Sequence, residues 1–206
     1  MPYYKQLDLL FIHIPKTGGT SMEKYLRGKA PQTLFTGRPK NNILPIKNVS
    51  LQHQTYKTIK THQNVLGVNF DSPKFRTISI VRNPYERIVS DLFYFRLINK
   101  KTSKIKVTDI IKKYINETRY DNHNIPQYNF LTLNNTDIAP EIHIFRTETL
   151  TKDATNFGLK NFKACTNKGM CDKKKYYSYL NDESIRLINV FYKKDFELFG
   201  YEMKKL

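Results

Sequence analysis

Apolar and polar residues are arranged along this chain in two patterns that each predict a strand followed by a helix. The first starts with an apolar run of strand length at Leu9–Ile14, which Pro15 ends. Gly18-Gly19 then permits a tight backbone turn, and we expect Thr20 or Ser21 to cap the helix that follows. The apolar residues of that helix fall on one face: Met22, Tyr25 and Leu26.

The turn between this strand and helix has the features of an anion-binding site. Its backbone N–H groups can converge on a phosphate, and the positive end of the helix dipole points the same way. Lys16 adds a full positive charge. The order and spacing differ from the nucleotide-triphosphate loop G-x-x-x-x-G-K-[ST], because here the lysine precedes the glycines. The stretch therefore predicts a P-loop-like strand-loop-helix of another kind.

The second pattern covers residues 75–95 and repeats the strand-to-helix arrangement. Residues 75–81 alternate and then run apolar, as in a buried strand. Asn83 is placed to cap the next helix, Pro84 suits its first position, and Glu86 is expected to close a capping box. Arg82 leaves the strand end and Ser90 lies on the second turn of the helix, so the two side chains can reach one phosphate.

Together these patterns resemble the sulfotransferases that use 3′-phosphoadenosine-5′-phosphosulfate, especially the carbohydrate branch that includes the heparan sulfate 2-O and chondroitin/dermatan enzymes. HIPKTGGTS at 13–21 is similar to their 5′-phosphosulfate loop, and RNPYERIVS at 82–90 to their 3′-phosphate motif. The resemblance implies these donor-binding residues: Lys16, Thr17, Gly18, Gly19, Thr20, Ser21, Arg82 and Ser90. Arg87 also matches the motif but can be structural. Weaker likenesses are HQT at 53–55, HNIPQ at 123–127, IFRTETL at 144–150 and DFELFGY at 195–201.

Sulfuryl transfer to a hydroxyl needs charge neutralisation and a base. Lys16 is the candidate for the first role. The chain has five histidines, and the resemblance implies that His53 is the base. We interpret His13 and His143 as structural. His123 and Gln127 are candidates for contact with the acceptor, with packing inside a loop as the alternative.

The remaining periodicities predict further alternation of helices and strands. Helices are expected at 56–67, at Val107–Thr118, at Leu150–Phe157 and from Asp182 onward, and a strand at Glu141–Phe145. This alternation predicts an α/β fold in which helices flank a mainly parallel central sheet. At 206 residues we expect a single domain, residues 1–206.

The formal net charge of +17 predicts polyanionic partners such as a sulfated glycan, a nucleic acid or an anionic membrane. We expect the acceptor to be a hydroxyl of a glycan, itself anionic, with Lys100–Lys106 and Lys173–Lys175 as candidate contacts. Biased composition is the alternative source of the charge. No signal peptide or membrane anchor is evident, so we expect a cytoplasmic or otherwise soluble protein, either of bacterial, phage or viral origin or trimmed from a longer chain. Cys165 and Cys171 can form a disulfide or remain thiols.

Two other functions were weighed against sulfuryl transfer. A P-loop-like nucleotide or small-molecule kinase needs magnesium and a carboxylate to hold it, and no clear Asp follows an apolar strand. A basic nucleic-acid-binding protein should carry a recognised binding motif, which the sequence does not show. The resemblance implies metal-free transfer from 3′-phosphoadenosine-5′-phosphosulfate, with no nucleic acid expected as partner; the kinase and the nucleic-acid-binding protein stay as the alternatives.

Overall fold

A computed structural model of the chain describes residues 2–31, 49–118, 120–134, 136–164 and 173–206. Its sheet has four strands in the order β1-β2-β3-β4. The strands are β1 Tyr3–Tyr4, β2 Leu9–Ile12, β3 Arg76–Val81 and β4 Ile142–Arg146. β1 pairs antiparallel with β2, whereas β2, β3 and β4 are parallel, with Phe11 opposite Ile78 and Ile78 opposite His143. The predicted α/β fold with a mainly parallel sheet is confirmed.

Eight α-helices lie within the described residues. They are α1 Gly19–Arg27, α2 Tyr56–Thr61, α3 Gln63–Leu66, α4 Pro84–Tyr94, α5 Lys104–Tyr114, α6 Leu150–Asn156, α7 Asp182–Phe191 and α8 Lys193–Phe199. Short 3₁₀ helices occur at Lys5–Leu7, Leu51–His53, Gln127–Phe130, Thr147–Thr149 and Lys173–Tyr179.

The chain divides into two compact units, each with its own core. The first unit, Met1–Val81 with Gln127–Cys165, contains the sheet and helices α1, α2, α3 and α6. Its core joins sheet residues to the apolar faces of α1 and α6: Phe11, Ile78, Ile80, Phe145, Met22, Leu26, Leu150 and Ala154. The predicted strands at 75–81 and 141–145 and the predicted helix at 150–157 are therefore confirmed within one residue, and the strand predicted at 9–14 ends two residues early, at Ile12.

The second unit, Arg82–Pro126 with Thr166–Leu206, is built from α4, α5, α7 and α8. Its core is formed by the inward faces of these helices: Tyr85, Val89, Leu92, Val107, Ile111, Tyr114, Ile188, Tyr192 and Phe196. The expectation of a single domain concerns how the two units combine, and it stays a prediction.

Several predicted helix ends are wrong in detail. α1 is capped by Gly18 and not by Thr20 or Ser21. Asn83 caps α4 as predicted, but Glu86 closes no capping box, because its carboxylate accepts from Arg82 instead. α7 is capped by Asn181 in a capping box with Ser184, and not by Asp182.

Two other helices differ from their predicted extent. The helix expected at 56–67 is two short helices separated at His62, and Gly67 ends the second in a left-handed conformation with φ 64°. α5 spans Lys104–Tyr114 and not the predicted Val107–Thr118, so the last three residues of the basic stretch 100–106 form its first turn. Cys165 and Cys171 lie outside the described residues, and so do the side chains of Lys173–Lys175. Within the described ranges, no helix is long and apolar enough to cross a membrane.

Candidate functional site

Residues 15–21, called the 15–21 loop below, comprise the turn that follows β2 and the first three residues of α1, and two residues of this turn are left-handed. Lys16 has φ 64° and Gly18 has φ 96°. α1 starts at Gly19, and the N–H of Ser21 donates to the carbonyl of Gly18 at 3.0 Å. The chain therefore turns sharply just before a helix N-terminus, where backbone dipoles favour an anion. Lys16 is half-buried beside this turn, and Thr20 is exposed.

Thr17 shapes the loop from inside. Its side chain is fully buried, and its hydroxyl donates to the carbonyl of Ile14 at 2.8 Å. The carbonyl of Thr17 accepts from the Thr147 hydroxyl at 2.6 Å, and the same hydroxyl lies 3.1 Å from the carbonyl of Val81. Thr147 thus ties the loop to the end of β3. Sequence reasoning missed Thr147, although it lies within the IFRTETL likeness.

Gly19 is required by a close contact with His13. A Cβ on Gly19 would lie 2.4 Å from Nε2 of His13, 2.6 Å from Cδ2 and 2.8 Å from Cε1. Real Cβ atoms essentially never come so close. Because the three distances are nearly equal, Gly19 lies over the face of the imidazole ring at its Nε2 end. The glycine therefore admits a histidine ring against the start of α1.

His13 is held in place by a buried carboxylate. Its Nδ1 lies 2.6 Å from Oε1 of Glu23, which also accepts from Nε2 of Gln52 at 2.9 Å. Burial lowers the pKa of His13 by more than Glu23 raises it, so the ring is neutral at pH 7. Burial alone would raise the pKa of Glu23, but hydrogen bonds from His13 and Gln52 hold it below the usual value. The pair is thus a neutral imidazole and an ionised carboxylate.

His53, the predicted base, lies in the same unit as the loop. It ends the 3₁₀ helix Leu51–His53 and is 9% exposed. Its Nδ1 lies 3.3 Å from the Ser50 hydroxyl, and its ring meets His13 edge to face at a centroid distance of 5.4 Å. Three sequence-predicted features, the loop, its glycines and His53, are therefore brought together around a histidine that we had interpreted as structural.

Arg82 and Ser90 belong to the second unit. The Arg82 guanidinium donates from Nε and from NH2 to Oε2 of Glu86, at 3.3 and 3.0 Å, and lies 4.8 Å from the centroid of the Tyr176 ring. Burial would lower the pKa of Arg82, but Tyr176 and Glu86 together raise it. Arg82 therefore forms an ion pair with Glu86 at the start of α4. Ser90 is half-exposed on α4.

Arg87, the other arginine of this motif, is 2% exposed, and its NH1 donates to the carbonyl of Ile125 at 2.9 Å. Its NH2 donates to the carbonyl of His123. It therefore fixes the loop that follows α5 and has a structural role.

The predicted acceptor contacts are both buried. His123, 6% exposed, has its Nδ1 2.7 Å from Oδ1 of Asp91, and its ring stacks on Tyr94 with centroids 5.4 Å apart. Gln127 lies in the first unit and is fully buried. Sequence reasoning did not identify Asp91 or Tyr94. Contact of His123 or Gln127 with an acceptor stays a prediction.

The strand, the left-handed turn and the helix N-terminus define an α/β protein with a P-loop-like strand-loop-helix. A sequence model of the Sulfotransferase family matches residues 3–202, nearly the whole chain, and the chain therefore belongs to the sulfotransferase family. No curated protein and no solved structure matches it.

Proposed function

We propose that this protein transfers a sulfuryl group from 3′-phosphoadenosine-5′-phosphosulfate to a hydroxyl of a carbohydrate. The observation that carries the proposal is the 15–21 loop of a sulfotransferase-family chain. Its residues Lys16 and Gly18 are left-handed, and Gly18 directly precedes the nine-residue helix α1. A side chain larger than hydrogen at Gly19 would collide with His13, so only backbone atoms of residue 19 are available to a ligand. Such a surface fits a phosphosulfate group, and the donor supplies the sulfuryl group that is transferred.

Residues of the loop hold the 5′ end of the donor in this proposal. The half-buried Lys16 offers a full charge against the leaving phosphate, and Thr20 and Ser21 lie in the first turn of α1. Loss of one such preorganised donor costs about 3 kcal/mol, or roughly a hundredfold in rate. Thr17 acts indirectly, because its hydroxyl already binds the carbonyl of Ile14.

Arg82 and Ser90 bind the 3′-phosphate, and His53 accepts the proton of the acceptor hydroxyl. Arg82 is held by Glu86 and lies over the Tyr176 ring, so its guanidinium is already fixed in one orientation. Fixing a side chain before binding lowers the entropy cost of the complex. His53 adjoins the loop through the ring of His13, which supports its assignment as the base.

The donor is tested by thermal unfolding in the presence of nucleotides. At about a hundred times its Kd a ligand adds about 2.7 kcal/mol, which raises Tm by roughly 5 to 10 °C for a chain of this size. We expect this rise with 3′-phosphoadenosine-5′-phosphate and a much smaller one with AMP or ATP. Equal rises with nucleotides that lack the 3′-phosphate would contradict the assignment, and a response confined to ATP with magnesium would indicate a kinase.

The 3′-phosphate contact is tested with Arg82→Gln. The rise in Tm on adding nucleotide is measured relative to the ligand-free Tm of the same variant. We expect the rise with 3′-phosphoadenosine-5′-phosphate to fall to the level seen with AMP. Arg186→Gln is the matched control, because Arg186 is an exposed arginine of α7 in the same unit. The control should respond like the unmodified protein.

The carbohydrate acceptor is proposed from the charge of +17 and from the resemblance to the carbohydrate branch. Of the candidate basic contacts, Lys100 and Lys101 are exposed ahead of α5, and Lys104 and Lys106 are exposed on its first turn. Transfer of radiolabelled sulfate to a panel of glycans, steroids, phenols and tyrosine peptides determines the acceptor class. We expect anionic glycans to be the best acceptors, and activity confined to small phenols would refute this.

A further inference from the structure

A buried polar network surrounds His13 in the first unit. Glu23 is 5% exposed and His13 is 7% exposed. Oε1 of Glu23 accepts from His13 and Gln52, while Oε2 accepts from Arg27 at 2.9 Å. A buried carboxylate with three donors is well compensated. Losing a donor to Oε1 leaves part of its charge unpaired, whereas water can replace Arg27 at Oε2, because the Arg27 side chain is 49% exposed.

The donor and acceptor roles within this network follow from its chemistry. An ionised Glu23 can only accept, so the hydrogen shared with His13 lies on Nδ1 and Nε2 of the neutral ring carries none. The Gln52 amide nitrogen lies 2.9 Å from Oε1 of Glu23 and from Nδ1 of His13, and it donates to Oε1, because Nδ1 carries a hydrogen and cannot accept. Turning that amide over would place its oxygen against a carboxylate, so the donating orientation is the favourable one.

The network contacts both parts of the proposed catalytic site that lie in this unit. Gly19 of the loop lies over one end of the His13 ring, and Phe11 stacks on the ring at a centroid distance of 5.5 Å. Gln52 directly precedes His53, whose own ring meets the His13 ring. A displacement of His13 therefore moves the loop and the base segment together.

We propose that Glu23, His13 and Gln52 are positioning residues that hold the 15–21 loop and His53 in one fixed arrangement. This inference rests on the proposed function, since it assigns to the network the alignment of the donor loop with the base. Reactivity depends steeply on alignment, and a displacement of about 1 Å can cost roughly a hundredfold in rate. The network links Gln52 to Glu23, 29 residues earlier in the sequence, and no local element connects the two.

The arrangement itself is tested by NMR of the histidine ring nitrogens, which needs no activity. His13 is expected to be neutral with its hydrogen on Nδ1 at about pH 7. Gln52→Leu should change the ring signals of both His13 and His53, while the signals of His143, on β4, should not move. The proposal would be overturned if His13 is charged, if its hydrogen lies on Nε2, or if the His53 signals do not change in Gln52→Leu.

The role in the reaction is tested by steady-state kinetics of folded Glu23→Gln and Gln52→Leu. Both variants should lower kcat by about tenfold or more. For Gln52→Leu, the Kd of 3′-phosphoadenosine-5′-phosphate should change by less than about threefold. Arg27→Gln is the control, because Arg27 binds the other carboxylate oxygen and its side chain is 49% exposed. It should stay within about threefold of the unmodified kcat.

The combined variant Glu23→Gln with Gln52→Leu should lose little more than Glu23→Gln alone, because both changes remove the same contact. Unchanged kcat in both single variants, or an equal loss in Arg27→Gln, would refute the positioning role. Failure of the proposed function is a separate result, seen as a protein that shows the expected NMR signals but neither binds 3′-phosphoadenosine-5′-phosphate nor transfers sulfate.

Discussion

Replacement of Gly19 by alanine tests the packing at the centre of the site. The φ angle of Gly19 is outside the left-handed range, so an alanine backbone is tolerated and the conflict is steric. The new Cβ would lie 2.4 Å from Nε2 of His13 and needs about 3.4 Å for ordinary contact, a displacement of about 1 Å. The ring is stacked on Phe11 and bonded to Glu23, so it cannot move without breaking that bond.

The cost of Gly19→Ala follows from these contacts. Overpacking costs about 1 to 3 kcal/mol, and weakening the hydrogen bond between His13 and ionised Glu23 adds about 1.5 to 3 kcal/mol. The higher helix propensity of alanine returns about 1 kcal/mol. A net loss of about 1.5 to 5 kcal/mol remains, which lowers Tm by roughly 3 to 20 °C for a chain of this length.

The assay is thermal unfolding of Gly19→Ala in two backgrounds. With His13 present we expect the loss above, whereas in a His13→Ala background the same change should be neutral or stabilising by up to about 1 kcal/mol. Gly67→Ala is the control, because Gly67 has φ 64° and no atom within 4 Å of the position of a Cβ. Its cost of about 1 to 2 kcal/mol should be equal in both backgrounds. A Gly19→Ala variant within about 1 kcal/mol of the unmodified protein would refute this account.

Three further predictions concern the base, the buried histidine and the loop brace. Folded His53→Ala should lose about a hundredfold or more of its transfer rate yet keep its affinity for 3′-phosphoadenosine-5′-phosphate, measured by calorimetry; a near-normal rate would assign the base elsewhere. Because burial lowers the pKa of His13, the unfolded chain protonates this imidazole at a higher pH than the folded protein does. Below about pH 6.5 the stability that the neutral ring provides therefore decreases, by up to about 1.4 kcal/mol per pH unit. Glu23 stays ionised there, so the stability difference from His13→Gln, measured by denaturation, should narrow toward about pH 5, and a constant difference would contradict this. Thr147→Val leaves the carbonyl of Thr17 without its donor and should cost about 1 to 3 kcal/mol and weaken nucleotide binding; unchanged stability and affinity would show that the brace is dispensable.

The sequence by itself determined the elements that local chemistry controls. β2 and β3 follow from short apolar runs, and α1 and α4 follow from amphipathic spacing directly after a turn. Pro84 and Asn83 mark the start of α4 because a missing N–H and a side-chain cap both suit that end, and the structure agrees. The left-handed turn before α1 was likewise predictable, since glycine is the residue that adopts it at least cost.

Choices between equivalent partners were decided by the tertiary structure. Glu86 has two partners within reach, the backbone at the helix start and Arg82, and the charged guanidinium is the stronger one. Gly18 caps α1 although hydroxyl side chains follow it, because the left-handed turn starts the helix one residue before Thr20. The sequence identifies the residues that could cap a helix, but it does not determine which of them does so.

The order of the strands, the Thr147 brace and the network around His13 were decided by the tertiary structure alone. Thr147 is 130 residues from Thr17, and Gln52 is 29 residues from Glu23. No period of hydrophobicity encodes a hydrogen bond between residues so far apart. Such contacts form only once the parallel strands have brought distant segments together, and burial then requires each polar group to find a partner. For this reason the turn and the helix start at residues 15–21 could be predicted from sequence, while the residues that hold them in place could not.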